Sequence, residues 1–120
     1  MASAHNPAVN GFREWNWSPK EKAAARRAFD LALSRELEGV IREAKDRAAR
    51  ITEASDLWDL ERWLGERRRQ IDGMFDYRYS VLPRVLAALL RAGQISEDAL
   101  RGLAADKLDA IRHIARIDFG

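Results

Sequence analysis

From Ser18 onward the chain places apolar side chains at the three- and four-residue steps of an α-helix, in five successive segments. Ser18-Pro19-Lys20-Glu21 is a helix start: serine suits the cap, proline the first helical position, and glutamate reaches back to the cap amide. The first segment carries Phe29, Ala32 or Leu33, Leu37, Val40, Ala44, Ala48 and Ile51. Because 29, 40 and 51 recur every eleven residues, the stripe runs nearly straight instead of following a seven-residue seam. Ser55, with Asp56 and Asp59, is expected to open a second helix whose Leu57, Leu60, Leu64, Ile71 and Phe75 share one face. Tyr77-Arg78-Tyr79-Ser80 breaks that pattern. Ser80 then caps a third segment through Val85, Leu86, Leu89 and Leu90, with Pro83 in its first turn and Gly93 as its stop. Ser96 caps a short fourth helix with Leu100 and Leu103, and Asp106 opens a fifth with Leu108, Ile111, Ile114 and Ala115. The expectation is an all-α chain of two long helices followed by three short ones.

Composition agrees with the pattern. Ala, Leu, Arg and Glu dominate, and β-branched residues are few, which favours helices over strands. The chain has 120 residues, enough for one modest domain that buries a limited share of its surface alone, so self-association would help it. Residues 1–17 lack periodicity and are expected to form a mobile arm, with Trp15 and Trp17 covering the end of a core. No cysteine is present, which excludes disulfides and thiolate metal sites and fits a reducing cytoplasm. The longest apolar run, Val85 to Leu90, is far short of the roughly 20 residues of a membrane span, so no membrane partner is expected. The 21 Lys and Arg are nearly balanced by 19 Asp and Glu interleaved along the same helices. Only Arg67-Arg68-Arg69 approaches a basic cluster, so the pattern argues against nucleic acid as the partner.

One residue of the second helix does not fit a simple amphipathic pattern. Projected at about 100° per residue, Arg68 falls between Leu64 and Ile71, in the middle of the apolar stripe, with Glu61 beside it. A charge placed there needs a counter-charge or a route to water. Gly65 sits nearby in mid-helix, where it costs about 1 kcal/mol relative to alanine but permits close backbone approach. If two copies of this helix cross antiparallel at Leu64 and Gly65, positions 61 and 68 lie symmetrically about the crossing. Each Glu61 then faces the other chain's Arg68, as a two-fold interface requires. A homodimer built this way is one expectation; pairing of Arg68 with Glu36 or Glu38 of the first helix is the other. Trp58 projects to the edge of the stripe beside Arg62 and Arg69, which suits an interface anchor or a tryptophan sealing the end of the helical pair.

Reactive chemistry is sparse. There is no histidine beside a nucleophile, no glycine loop for phosphate and no metal-ligand spacing; His5 and His113 cannot make a metal site by themselves. Asp72 and Asp76, followed by Arg78, read as a salt-bridged helix end rather than an acid-base couple. Neither catalysis nor a cofactor is expected.

The order DLWxLxxxLxxxRxxIDxxxDYRYSVL, here Asp56 to Leu82, resembles the signature of the fluorescence recovery protein family, and the likeness continues through GLAADKLDAIRHIAR, residues 102–116. The resemblance implies a long antiparallel two-helix stalk, residues 18–79, and a small head of three short helices, residues 80–120, dimeric through the stalk. It also implies a non-enzymatic role. Such a protein binds the C-terminal domain of the orange carotenoid protein, accelerates its return from the active red to the resting orange form, and so ends photoprotective quenching. By position, Trp58 and Arg68 match family residues of the dimer and partner surface. Glu61 and Arg62 stand where the family pattern has His then Asp, Arg84 stands at a partner-contacting aromatic position, and Ala110 at a partner-contacting lysine. Those exchanges alter charge and anchoring, so an interaction or scaffold dimer with an unrelated partner, in a bacterium lacking phycobilisomes, is the second expectation. The expected contact set is Trp58, Glu61, Arg62, Leu64, Gly65 and Arg68.

Overall fold

The computed structural model describes residues 15–117. Among them, α1 spans Pro19–Ala49, α2 Ala54–Met74, α3 Leu82–Arg91, a 3-10 turn Glu97–Leu100 and α4 Ala105–Ile117, with no β-strand. The described chain is therefore all-helical, in the order the periodicity predicts, and the fourth segment is a single 3-10 turn. The expected arm lies, up to residue 14, outside the described residues.

Local chemistry sets the ends. The Glu21 amide donates to Ser18 Oγ at 3.1 Å and the Ser18 amide to Glu21 Oε1 at 3.0 Å, the reciprocal cap expected for α1. α2 begins one residue before Ser55, and its cap is not that serine. Glu53 takes the cap position and Asp56 reaches back, accepting from the Thr52 amide at 3.0 Å, the Thr52 hydroxyl at 3.2 Å and the Glu53 amide at 3.2 Å. The physical reason is capacity: one carboxylate collects three donors, led by the Thr52 amide, and those bonds hold the Asp56 carboxyl below its usual range. α3 is capped by Val81, not Ser80, because the Val81 and Leu82 amides bond back to the Arg78 carbonyl at 3.0 and 2.9 Å and close the turn before Ser80 can serve. Gly93, at φ +75°, ends α3 as expected: the Gln94 amide donates to the Leu89 carbonyl at 2.9 Å and the Gly93 amide to Leu90 at 3.1 Å. The Ser96 hydroxyl accepts from the Ala99 amide at 3.3 Å and starts the 3-10 turn.

The contacts divide the chain into two compact units. One combines α1 as far as Ala32 with everything from Asp76 onward; the other is residues 33–75. In the first, Ala24, Ala25, Ala28, Phe29 and Ala32 of α1 are buried together with Leu82, Leu86, Leu89, Ile95, Leu100, Leu103, Ile111 and Ile114. The alanines keep that face of α1 flat, so neighbouring backbone comes close. At Gly102, φ +123°, an added Cβ would lie 2.8 Å from the Ala24 Cβ, which reserves the position for glycine. Rings line the same unit in sequence. Phe29 meets Tyr77 edge-on at 4.8 Å, Tyr77 meets Tyr79 at 5.6 Å, Tyr79 meets Trp17 at 5.4 Å and Trp17 meets Trp15 at 5.9 Å. The Arg26 guanidinium lies 4.4 Å from the centre of the Tyr77 ring. Burial, then the Tyr79 hydroxyl, pushes the Tyr77 phenol up to about 12.

The second unit is different in kind. None of the residues of α2 is buried, and the stripe of α1 stops being buried after Ala32. Leu37 and Ile41 are exposed, while Val40 and Ala44 are half-buried. The two helices are joined here by polar contacts: an ion pair from Arg67 to Glu36, and the Arg47 guanidinium 4.5 Å above the Trp63 ring. Within α1, Glu43 and Arg47, an acid and a base four residues apart, pair at 2.8 Å.

Candidate functional site

α2 presents two sides, set by its 3.6-residue repeat. Asp56, Leu60, Trp63, Arg67 and Ile71 are half-buried along the side that meets α1 within this unit. About a quarter-turn away, Leu57, Glu61, Leu64 and Arg68 are open. Exposure reaches 46% for Leu57, 57% for Trp58 and 39% for Leu64, high for large apolar groups so close in sequence. Leu57, Trp58, Leu60, Glu61 and Leu64 line one groove of about 340 Å³.

The six expected contact residues fall into four groups. Trp58, Glu61 and Leu64 come together on the groove. Gly65 is half-buried beside it, and an added Cβ would meet only the Arg69 Nη1 at 3.6 Å, so nothing within the chain calls for glycine there. Arg62 turns to Asp59 at 3.0 Å, with both side chains exposed. Arg68 stands in the open strip one turn beyond Leu64, with its side chain 85% exposed and Asp72 4.0 Å away.

The intrachain partner expected for Arg68 is corrected by the structure. Glu36 is taken by Arg67, not Arg68. One residue along a helix turns the side chain by about 100°, so 67 faces α1 where 68 cannot. Trp58 likewise does not seal the end of the helical pair, being more than half exposed.

Sequence reasoning missed several groups that organise this chain. Trp63 falls at an unspecified position of the Asp56–Leu82 motif, and nothing in the spacing of Glu43 and Arg47 sets the Arg47 guanidinium over its ring. Glu21 was read as a cap only. Its carboxylate also accepts from the Ala104 amide at 2.9 Å and meets Lys107 Nζ at 3.1 Å. Burial alone would raise this acid, but the Ser18 and Ala104 amides and the Lys107 ammonium outweigh it and lower the pKa from 4.5 to about 2. No signal in the sequence joins residues 21 and 107, which are 86 positions apart.

Asp76 and Arg78 bond side chain to side chain at 2.6 Å, the helix-end pair that their spacing suggests. Among the described residues no group of three or more His, Cys, Asp or Glu is placed to hold a metal ion, and no helix is long and apolar enough to cross a membrane. What the arrangement offers is an open strip of leucine, tryptophan, glutamate and arginine, a composition suited to contact with protein. In an all-helical chain this defines a helical contact module.

The comparisons with known proteins give that class a family. The profile described as "Photoprotection regulator fluorescence recovery protein" matches residues 17–115. The fluorescence recovery protein of Synechocystis sp. is 40% identical over 101 residues, covering 84% of this chain and 93% of that one. The solved structure of the Fremyella diplosiphon fluorescence recovery protein is similar with a TM-score of 0.78 at 40% identity, over 85% of this chain and all of that one. The Synechocystis structure gives the same TM-score at 39% identity, with the same coverage. The chain belongs to the fluorescence recovery protein family of photoprotection regulators.

Proposed function

We propose that this protein is a non-enzymatic cytoplasmic regulator that works as a homodimer and binds the orange carotenoid protein through its C-terminal domain, hastening the return from red to orange. The observation that carries the dimer is the open strip of α2: a 21-residue helix with no buried residue, bearing Leu57, Trp58 and Leu64. Large apolar side chains left open to water gain nothing from burial within the chain, so a second surface that covers them is favoured. A second copy fits. With two α2 helices crossing at Leu64 and Gly65, the glycine admits the close approach, and Glu61 of each chain supplies the counter-charge that Arg68 lacks beyond a 4.0 Å contact with Asp72. On this reading residues 18–79 form the dimerising stalk, residues 80–120 the head, and Trp58, Glu61, Arg62, Leu64, Gly65 and Arg68 the contact set.

The carotenoid-protein role is supported by family membership across residues 17–115. A regulator of this kind acts by binding one state of its partner better than the other, and it moves the equilibrium only by that difference. Added to photoactivated red carotenoid protein in the dark, the chain is expected to accelerate recovery of the orange form; a recovery rate equal to that of buffer refutes the activity.

A second reading keeps the dimer and changes the partner. It is favoured by Glu61, Arg62, Arg84 and Ala110, which depart from the family pattern in charge and in size. Pulldown from the native host, with the Trp58→Ala variant as control, separates the two by the identity of the protein retained.

A further inference from the structure

We propose that the groove between α1 and the 3-10 turn is a second, preformed docking site, for an acidic protein segment that carries an apolar anchor. Arg27, Ala28 and Leu31 of α1 and Asp98, Ala99 and Arg101 of the turn enclose about 360 Å³. It shares no residue with the open strip of α2, and the inference goes beyond the function proposed above.

Three observations carry it. The floor is apolar and open at one point: Ala28 is buried, while Leu31 is exposed although it lies beside a buried core. The rim is cationic. Arg101 pairs with Asp98, whereas Arg27 has no acidic partner among the described residues, so the rim holds one positive charge in excess. The wall is fixed. Gly102, next to Arg101, lies so close to Ala24 that no side chain fits, and the Ala104 amide is tied to the buried Glu21 carboxylate at 2.9 Å. The turn therefore presents Arg101 from a position held just beyond it, at Gly102 and at Ala104.

That combination selects a particular chemistry. A preformed wall lowers the ordering cost of binding. A carboxylate laid between the two guanidiniums gains charge-assisted hydrogen bonds, and an adjacent leucine-like side chain covers Leu31. A bare polyanion satisfies only the first contact, and an apolar peptide only the second.

The test uses the whole chain, isotope-labelled, titrated with short blocked peptides and followed through backbone amide resonances. The expected result is saturable shifts at Ala28, Leu31 and Ala99 with a peptide alternating Asp and Leu. Asn-for-Asp or Gly-for-Leu versions should bind about tenfold more weakly or not at all. Arg27→Glu with Arg101→Glu, and separately Leu31→Gln, should abolish the shifts; all three side chains are exposed, and unchanged helicity checks that the variants fold. Equal shifts with the Gly-for-Leu peptide or with a single-stranded oligonucleotide would reduce the site to polyanion attraction and overturn the proposal. Absence of saturable shifts, or their persistence in the double variant, would also overturn it.

Discussion

Glu21 and Lys107 form a buried ion pair, with Nζ 3.1 Å from the carboxylate, that joins the first turns of α1 and α4. Only 6% of Glu21 and 9% of Lys107 are exposed. The same carboxylate accepts the Ser18 and Ala104 amides, so one acid caps its own helix and the entry to another. Because its pKa is lowered from 4.5 to about 2, it stabilises the fold fully above pH 4.5, and that stability is lost as pH falls toward 2. Its share is on the order of 2–3 kcal/mol. In urea unfolding at successive pH values, Glu21→Gln should be less stable than the parent at neutral pH, and the difference should shrink steadily between about pH 5 and 2. A difference that does not change over that range would contradict the assignment.

For the proposed dimer, charge reversal is the direct probe. Sedimentation of the parent should give twice the 13.7 kDa chain mass. Arg68→Glu places like charges opposite each other at the crossing and should weaken association at least about tenfold. Combining it with Glu61→Arg should recover most of the loss; a double variant as weak as the single one refutes the pairing.

Gly65→Ala separates the needs of one chain from those of two. Within a chain the new methyl meets only the mobile end of Arg69 at 3.6 Å, and alanine favours the helix by about 1 kcal/mol. The helix content of dilute monomer should therefore rise, while the dimer dissociation constant increases. Tighter association would show that no backbone approaches at that glycine.

At Gly102 the reverse holds. Alanine there combines a φ of +123° with a 2.8 Å approach to Ala24 and should cost about 2–4 kcal/mol in thermal or urea unfolding. Ala24→Gly in the same chain should return only part of that, because it relieves the contact and leaves the backbone strain.

Much of the fold was legible because its signals are local. The caps at Ser18 and Ser96 and the stop at Gly93 depend on side chains within a few residues of the backbone groups they satisfy, and all three form as read. Where two local candidates competed, the reading failed: Asp56 with Glu53 displaced Ser55, and the bonds to the Arg78 carbonyl displaced Ser80. The site was legible in part. Periodicity put Leu57, Leu60, Leu64, Ile71 and Phe75 on one face with Arg68 among them; Leu57, Leu64 and Arg68 stand open, whereas Leu60, Ile71 and Phe75 are half-buried.

By itself the sequence determined the helices, their order, the stop at Gly93 and the stripe on which Arg68 stands, since each follows from spacing along one chain. Only the tertiary structure decided that Glu36 belongs to Arg67, that the α1 stripe is buried only as far as Ala32, and that Glu21 reaches Lys107. Those outcomes depend on which elements approach each other and at what rotation. A helix pattern records that a face is apolar but carries no coordinate for what covers it.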